Sequence, residues 1–284
     1  MEALFAELAQ HHACHILAPS GPVIEGGKRL NRATLFGPEG RIGAQDKTMM
    51  TRFEREDWRV DAGAGLTLFE TALGKIGVVI CYDSEFPLLS RALAEAGAEI
   101  LLVPNGSPYH RGKPDLRLNL MVSRVVETGL PLVYLNMVGG QDDQVFDGSS
   151  MVLNPGGELA VQMPQFDDCI THVDFVQGPD GWRAKPGLMA EIPKIWEADY
   201  RACVMALADY MAKTGFKKVL LGLSGGIDSA IVATIAADAL GPENVRCVML
   251  PSAYTSDHSL EDAGEVARNL GCRLDTVPIG GAQE

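Results

Sequence analysis

Long apolar runs are missing from this chain of 284 residues. None approaches the roughly 18 consecutive apolar residues that a membrane-spanning helix needs. The N-terminal MEALFAELAQHHACH also lacks the basic start and apolar centre of a signal peptide, so the chain reads as cytoplasmic. CxxC spacing is absent: Cys14, Cys81, Cys169, Cys203, Cys247 and Cys272 are scattered along the sequence. In a chain long enough to bury its own core, that argues against a disulfide framework or a zinc cluster and leaves room for a lone reactive thiol. The cluster His11, His12, Cys14 and His15 has no second ligand group to complete a metal site. Positive charge is scarce as well, with 24 Lys and Arg against 37 Asp and Glu and a net charge of −13. A nucleic-acid backbone would be repelled, which removes nucleic acid as a first guess at a partner. At 46% hydrophobic residues the composition is that of a globular protein and not a disordered one.

What is present divides into two patterns. Up to about residue 175 the sequence shows short apolar runs, among them HILAPSGPVI, RATLFGP, GKIGVVICYD, EILLVPNGSP, PLVYLN and SSMVLNPGG. Gly, Pro, Asn and Asp punctuate them, which predicts strands. Helical stretches over Pro87 to Ala98 and Arg117 to Thr128 alternate with these strands. The segment FVQGPDGWRAKPGLMAEIP has no consistent period and carries three prolines and three glycines. It predicts a linker over 176–193 between a domain at 1–175 and another at 194–284. After it, Ile195, Tyr200, Cys203, Val204, Leu207 and Met211 recur at helical spacing. The order then runs strand KKVLLGL, glycine turn, helix, strand VRCVMLP, helix SLEDAGEVARNLG and strand CRLDTVPI, the start of a doubly wound parallel α/β sheet. About 85 residues is short for such a domain, and the expectation is that it is incomplete at its C-terminus. An acidic two-domain chain with an unfinished sheet would expose apolar edges, which points to a homo-oligomer.

Gly222, Leu223, Ser224, Gly225, Gly226, Ile227, Asp228 and Ser229 fall at the end of a predicted strand and open a helix, where backbone N–H groups and the helix dipole face an anion. Two adjacent glycines allow close approach to phosphate oxygens, the serines add donors, and Asp228 is a candidate ligand for Mg²⁺. GxxxxGK[ST] is absent, so the lysine of a P-loop is missing. A plain capped turn is the competing reading. GLSGGIDSA resembles the pyrophosphate loop of the ATP pyrophosphatase group. From Ala202 to Ile279 the chain is similar to the synthetase domain of the glutamine-dependent NAD synthetases, through DYMAKTGFKKVLLGLSGGIDSA, ADALGPENVRCVMLPSAYTS and SLEDAGEVARNLGCRLDTVPI. The resemblance implies ATP at residues 222–229, Mg²⁺ near Asp228, and adenine against the strand carrying Met249 and Leu250.

In the first half, Cys81 follows the apolar run IGVVI and precedes a Pro-initiated helix. A thiol there gains thiolate character from a helix N-terminus and a nearby cation, for which Lys47 is the candidate, with Glu54 and Glu56 close behind it in sequence. A Cys–Lys–Glu set suits amide hydrolysis, the lysine stabilising thiolate and oxyanion while a carboxylate moves protons. Taken alone, a cysteine at a strand end is more often a small core residue. The order of lysine, FE, glycine and ICYDSEFP resembles the nitrilase superfamily of carbon–nitrogen hydrolases, with Lys47, Glu54 and Cys81 on its catalytic positions and Leu30, Asn31, Gly37 and Gly40 in the preceding hairpin. It implies an α-β-β-α sandwich, and the superfamily's general-base glutamate has no match before Lys47, so the sandwich is expected to be incomplete at its N-terminus. From Ala98 onward AGAEILLVPNGSPYHRGK and RVVETGLPLVYLNMVGGQDDQVFDGSSMVLNPGGEL are similar to the glutaminase domain of the NAD synthetases. This implies that Ser107 helps hold glutamine and that Glu127 and Gln141 help shape its site. CYDSEFP is closer to free-standing amidases, where NAD synthetases usually carry CED. The leading expectation is a glutamine-hydrolysing ligase that uses ATP to amidate deamido-NAD. The alternatives are a stand-alone amidase and a catalytically incomplete scaffold.

Overall fold

Alternation of side chains along extended backbone decides how the first unit is layered. The computed structural model describes residues 1–280 and divides into two units, the first comprising Met1–Met137 and Gly148–Ile192. Its chain runs α1 (Glu2–His11), β1 (Ile16–Glu25), β2 (Lys28–Gly37), β3 (Gly40–Asp46), α2 (Arg52–Glu56), β4 (Leu68–Thr71), β5 (Gly74–Val78), a 3-10 turn (Cys81–Glu85), α3 (Pro87–Glu95), β6 (Ile100–Asn105), α4 (Lys113–Thr128) and β7 (Leu132–Asn136). It then leaves as a hairpin, β8 (Val138–Gln141) and β9 (Gln144–Asp147), and returns as β10 (Met151–Leu153), β11 (Leu159–Gln162), β12 (Phe175–Gly178) and β13 (Gly181–Ala184). Strands β1-β2-β3 form one antiparallel sheet, and a mixed sheet has the order β11-β10-β7-β6-β5-β4, with β5, β6 and β7 parallel.

On β6, Leu101 and Val103 join a core with Leu89 and Leu93 of α3 and Met121 and Val125 of α4. The alternate residues Ile100 and Leu102 turn to the other face, where Val78 and Ile80 meet Ala33 and Leu35 of β2. Such a strand, apolar on both faces, is the pattern of a sheet covered on both sides. Burial of each large aliphatic side chain contributes about 1.5–3 kcal/mol. On the outer face of the β1–β3 sheet, Ala9 of α1 packs on Ala18 and Phe36. The layers are therefore α1, the three-stranded sheet, the six-stranded sheet, and α3 with α4: the expected α-β-β-α sandwich.

The stretch 176–193, expected as a linker, carries regular backbone in part. Its first part pairs as the β12–β13 hairpin, and Asn154 grips Ala184 through both the backbone N–H and the carbonyl, at 2.7 and 3.0 Å. Further on, Gln162 donates its N–H to Leu188 and accepts from Ala190. Glycine and proline had masked a hairpin whose edge partners lie far away in sequence.

The second unit contains the β8–β9 hairpin, Val138–Asp147, together with the chain from Pro193 onward. There α5 (Ile195–Thr214), β14 (Val219–Gly222), α6 (Ile227–Leu240), β15 (Val245–Met249), α7 (Asp257–Leu270) and β16 (Arg273–Thr276) follow in the expected order. The sheet is parallel, β14-β15-β16. Small residues let α6 and α7 lie close to it: Ala233, Ala236, Ala237, Ala263 and Ala267 pack with Val245 and Cys247. On α5 the buried positions are Ala198, Ala202 and Met211, whereas Ile195 and Cys203, read as part of its apolar stripe, are exposed. Among the described residues no helix is long and apolar enough to cross a membrane.

Candidate active site

Lys47 lies just beyond β3, with its N–H donated to Asn31 and its carbonyl accepting from Gly63, both at 2.8 Å. Its side chain is 2% exposed, and Nζ donates to both oxygens of Glu54 at 2.6 Å. A lysine removed from water this completely requires a charged partner. Glu54 is placed by a capping box that opens α2: the Thr51 hydroxyl accepts the Glu54 N–H, and the Glu54 carboxylate accepts the Thr51 N–H at 2.9 Å. The same carboxylate accepts from the Thr51 hydroxyl and from Asn31. Glu56 is elsewhere, in an exposed pair with Arg52. Of the two sequence candidates, Glu54 alone stands beside the lysine.

Cys81 opens the 3-10 turn with φ +51. For a side chain other than glycine this left-handed conformation costs about 1–3 kcal/mol, and strain of that kind gathers at functional sites. Asp83, absent from the sequence-derived set, explains how the turn is held. Fully buried, it accepts from the Met49 N–H at 2.6 Å and from the N–H and hydroxyl of Thr48, tying the segment after Lys47 to the turn after Cys81. Burial raises the Asp83 carboxyl above its ordinary range despite these donors.

Burial also pushes the Cys81 thiol up. Lys47 opposes it by charge, as do hydrogen bonds from the backbone of Gly106 and Tyr82, while the Glu54 charge reinforces the rise. Burial therefore favours the neutral thiol over the thiolate that would attack. Glu54 is poorly suited to take the thiol's proton. Although burial alone would raise its carboxyl, the hydrogen bond from Lys47 and those from Thr51 bring it below the ordinary range, and both oxygens are occupied. The contacts of Glu54 are those of a group that holds Lys47. Because the folded value is depressed, this pair's stabilisation is present in full above the ordinary carboxylate value and is lost as pH falls through the lowered one. Thermal melts should therefore show an acid-side loss of stability that Glu54→Gln flattens. An unchanged acid limb in that variant would remove the pair from the stability of the fold.

Ser107, 8% exposed, is held by its neighbours. Its N–H donates to Asn136 Oδ1 at 2.9 Å, and its carbonyl accepts from Arg117 Nη2 at 2.7 Å and from Asn136 Nδ2 at 3.2 Å. Asn136 and Arg117 were not legible in sequence, since they act on backbone groups brought near only by the fold. Glu127 sits in the last turn of α4, paired with Arg124 at 3.0 Å and Arg91 at 3.7 Å. It reaches the Cys81 turn indirectly, through an Arg124 bond to the Glu85 carbonyl. Gln141 ends β8 and is exposed in the second unit. Lys47, Glu54 and Cys81 are thus brought together with the Ser107 loop, while Glu127 is held by its two arginines.

In the second unit the octet 222–229 joins β14 to α6, and the first turn of α6 has no capping side chain at Gly226. The Ser229 hydroxyl accepts the Ser224 N–H at 3.2 Å and donates to the Gly226 carbonyl at 2.9 Å, so the serines shape the loop. Gly225 has φ +80, and a Cβ there would stand 2.4 Å from the Ser259 carbonyl of α7. A Cβ on Gly222 would meet nothing within 4 Å, and one on Gly226 only the Ser224 hydroxyl at 3.5 Å. That open space at the N-terminal end of α6 is of the kind an anion fills. Leu223 and Met249 are buried in the core, while Ile227, Asp228 and Leu250 are exposed. Among the described residues no three His, Cys, Asp or Glu side chains are grouped to hold a metal ion. A cation at Asp228 would accordingly share its ligands with a bound phosphate.

Comparison with known proteins agrees with this two-part reading. Residues 1–178 match the carbon–nitrogen hydrolase family and residues 199–284 match NAD synthase. The chain is 61% identical over 206 residues to a glutamine-dependent NAD(+) synthetase of Rhodobacter capsulatus, covering 72% of this chain and 37% of that protein. It is 39% identical over 262 residues to the one of Acinetobacter baylyi, covering 90% and 47%. The solved glutamine-dependent NAD+ synthetase of Acinetobacter baumannii in complex with adenosine diphosphate superposes with a TM-score of 0.91 at 34% identity, over 99% of this chain and 54% of that one. The chain therefore spans about half the length of the relatives it matches.

Proposed function

Because this chain belongs to the carbon–nitrogen hydrolase family and continues into an NAD synthase segment, we propose that it serves a glutamine-dependent NAD(+) synthetase, with amide hydrolysis in residues 1–175 and ATP chemistry in residues 194–284. The Cys81 sulfur attacks the side-chain amide carbon of glutamine, ammonia leaves, and water hydrolyses the thioester to glutamate. Lys47 Nζ stabilises the oxyanion, with Glu54 holding it in place. Ser107, Glu127 and Gln141 are proposed to bound the glutamine site. In the second unit residues 222–229 would hold ATP, with its adenine toward Met249 and Leu250, and Asp228 would help hold Mg²⁺, which would offset phosphate charge. The nicotinate carboxylate of deamido-NAD attacks the α-phosphate and releases pyrophosphate. Ammonia then displaces AMP and gives the amide of NAD. The acidic charge and the exposed Ile227, Ile231 and Val232 of α6 support a cytoplasmic homo-oligomer that takes no part in nucleic-acid binding.

The observation that carries this reading is a strained cysteine beside a buried Lys47–Glu54 pair in the same chain as an open SGGIDS loop. The test is glutamine hydrolysis together with calorimetric Mg-ATP binding. Both are expected, and ATP affinity should fall at least about tenfold, roughly 1.4 kcal/mol, in Asp228→Ala or Gly226→Val with hydrolysis retained. Hydrolysis of simple aliphatic amides but not glutamine, or no ATP binding at all, would favour a stand-alone amidase.

A further inference from the structure

Phe166 holds its backbone at φ +60 and is 7% exposed. A left-handed conformation at a bulky aromatic residue is an outlier, because the Cβ crowds the carbonyl and no short polar side chain relieves it. It persists only where the surroundings impose it, and such residues gather at functional sites. Here the end of the β10–β11 ladder imposes it. Beyond the Met151–Gln162 pair the ladder continues irregularly, with the Met163 N–H donated to Ser150 at 2.8 Å, the Ser149 N–H donated to Pro164 at 3.1 Å, and a bridge between Gly148 and Gln165. The Gln162 side chain donates to the Ser149 hydroxyl and to the Met163 carbonyl, both at 3.0 Å. The chain is thus fixed up to the residue before Phe166, and the turn that follows decides where the ring goes.

The ring goes to the Ser107 loop. Phe166 meets Tyr109 edge to face, with centroids 5.3 Å apart and planes at 73°, a geometry in which aromatic pairs attract beyond the area they bury. The same ladder end holds the loop a second time. Asn136 donates to the Gly148 carbonyl at 3.0 Å and to the Ser107 carbonyl at 3.2 Å, and accepts the Ser107 N–H at 2.9 Å. Gly148, through Asn136, and Phe166, through Tyr109, therefore bracket the loop at residues 107 and 109. Arg117 of α4 adds donors to the Ser107 hydroxyl and the Pro108 carbonyl, each at 3.1 Å. All of these residues belong to the first unit. The loop leaves the carboxyl end of β6, and the Cys81 turn follows the adjoining parallel strand β5. That edge of an α/β sheet is where ligands bind.

We propose that Phe166 is a positioning residue for the Ser107 loop: its left-handed backbone directs the ring that holds Tyr109, and so keeps Ser107 in place at the carboxyl edge of the sheet. The effect on glutamine rests on the functional reading above, whereas the effect on the loop does not. The first readout is hydrogen–deuterium exchange of the whole chain, followed at peptides covering 106–112 with β2 as internal reference. In Phe166→Ala and Phe166→Gly the 106–112 amides should exchange about threefold to tenfold faster, the effect of losing one aromatic pair, with β2 unchanged. Glycine adopts this backbone without strain, so Phe166→Gly should melt no lower than Phe166→Ala and still loosen the loop as much. Tyr109→Leu, at the half-buried partner, should loosen the loop in the same way, and Phe166→Tyr, which keeps the ring, should restore wild-type exchange. The second readout is glutamine turnover, in which the Phe166→Gly and Tyr109→Leu variants should raise KM by a similar factor with kcat nearly unchanged. Wild-type exchange at 106–112 in both of these variants, equal quickening at β2, or a loss confined to kcat would overturn the proposal. A loosened loop in the variants of a chain whose wild type does not turn over glutamine would uphold the dependence of the loop on Phe166 and count against the functional reading alone.

Discussion

Cys81→Ala is expected to abolish the proposed glutamine hydrolysis and to leave the fold standing. Loss of the nucleophile removes the thioester route altogether, an effect of roughly 10⁴-fold or more in comparable enzymes. The melting temperature should barely move, because cysteine and alanine carry similar strain at φ +51 and the small side chain leaves little space behind it. Activity measured beside a thermal melt distinguishes a chemical loss from a folding one, and hydrolysis surviving in a clean preparation would end the case for this thiol. A thiol-directed glutamine analogue should mark Cys81 before exposed Cys169 or Cys203. The reverse order would report accessibility and not activation.

Lys47→Met should lower kcat by about two to three orders of magnitude, corresponding to about 3–4 kcal/mol of lost oxyanion and thiolate stabilisation, with KM changed far less. The variant also leaves the Glu54 carboxylate buried with only Thr51 and Asn31 as donors. Removing one partner of a buried pair costs about 3–5 kcal/mol. The double variant with Glu54→Gln should recover part of that stability without recovering turnover. If the single substitution changed KM alone, Lys47 would be a substrate-binding residue and the oxyanion would need another donor.

The strands and helices were legible wherever the apolar pattern had a clear period. Leu101 and Val103 against Ile100 and Leu102 show why: alternation states which residues share a face, and the structure distributes them to the two cores accordingly. Cys81 and Lys47 stand out in the sequence because each residue type at that position has a recognisable chemistry. The surroundings of Glu54 do not, since spacing brings a carboxylate near a lysine but does not say that both of its oxygens are taken. Asp83, Asn136 and Arg117 escaped for a related reason. Their partners include main-chain groups 35, 29 and 10 residues away, and a backbone amide has no signature in the sequence. The Gly139–Gly140 doublet was the one visible trace of the β8–β9 hairpin's close approach to α5, where a Cβ on Gly140 would stand 3.3 Å from Ala206 Cα, and it was indistinguishable from an ordinary turn.

The left-handed backbone at residue 81 also bears on how this position would drift over generations. While hydrolysis is under selection, cysteine is retained against its own conformational preference. In a descendant that no longer needs the thiol, that preference becomes the main force acting on the codon. Glycine, which occupies this region at no steric cost, and asparagine, which tolerates it better than most residues, would then be favoured over the usual serine or alanine replacements. Copies of this domain that have turned into scaffolds should be recognisable by glycine or asparagine at this position, and should be slightly harder to unfold than their working ancestors.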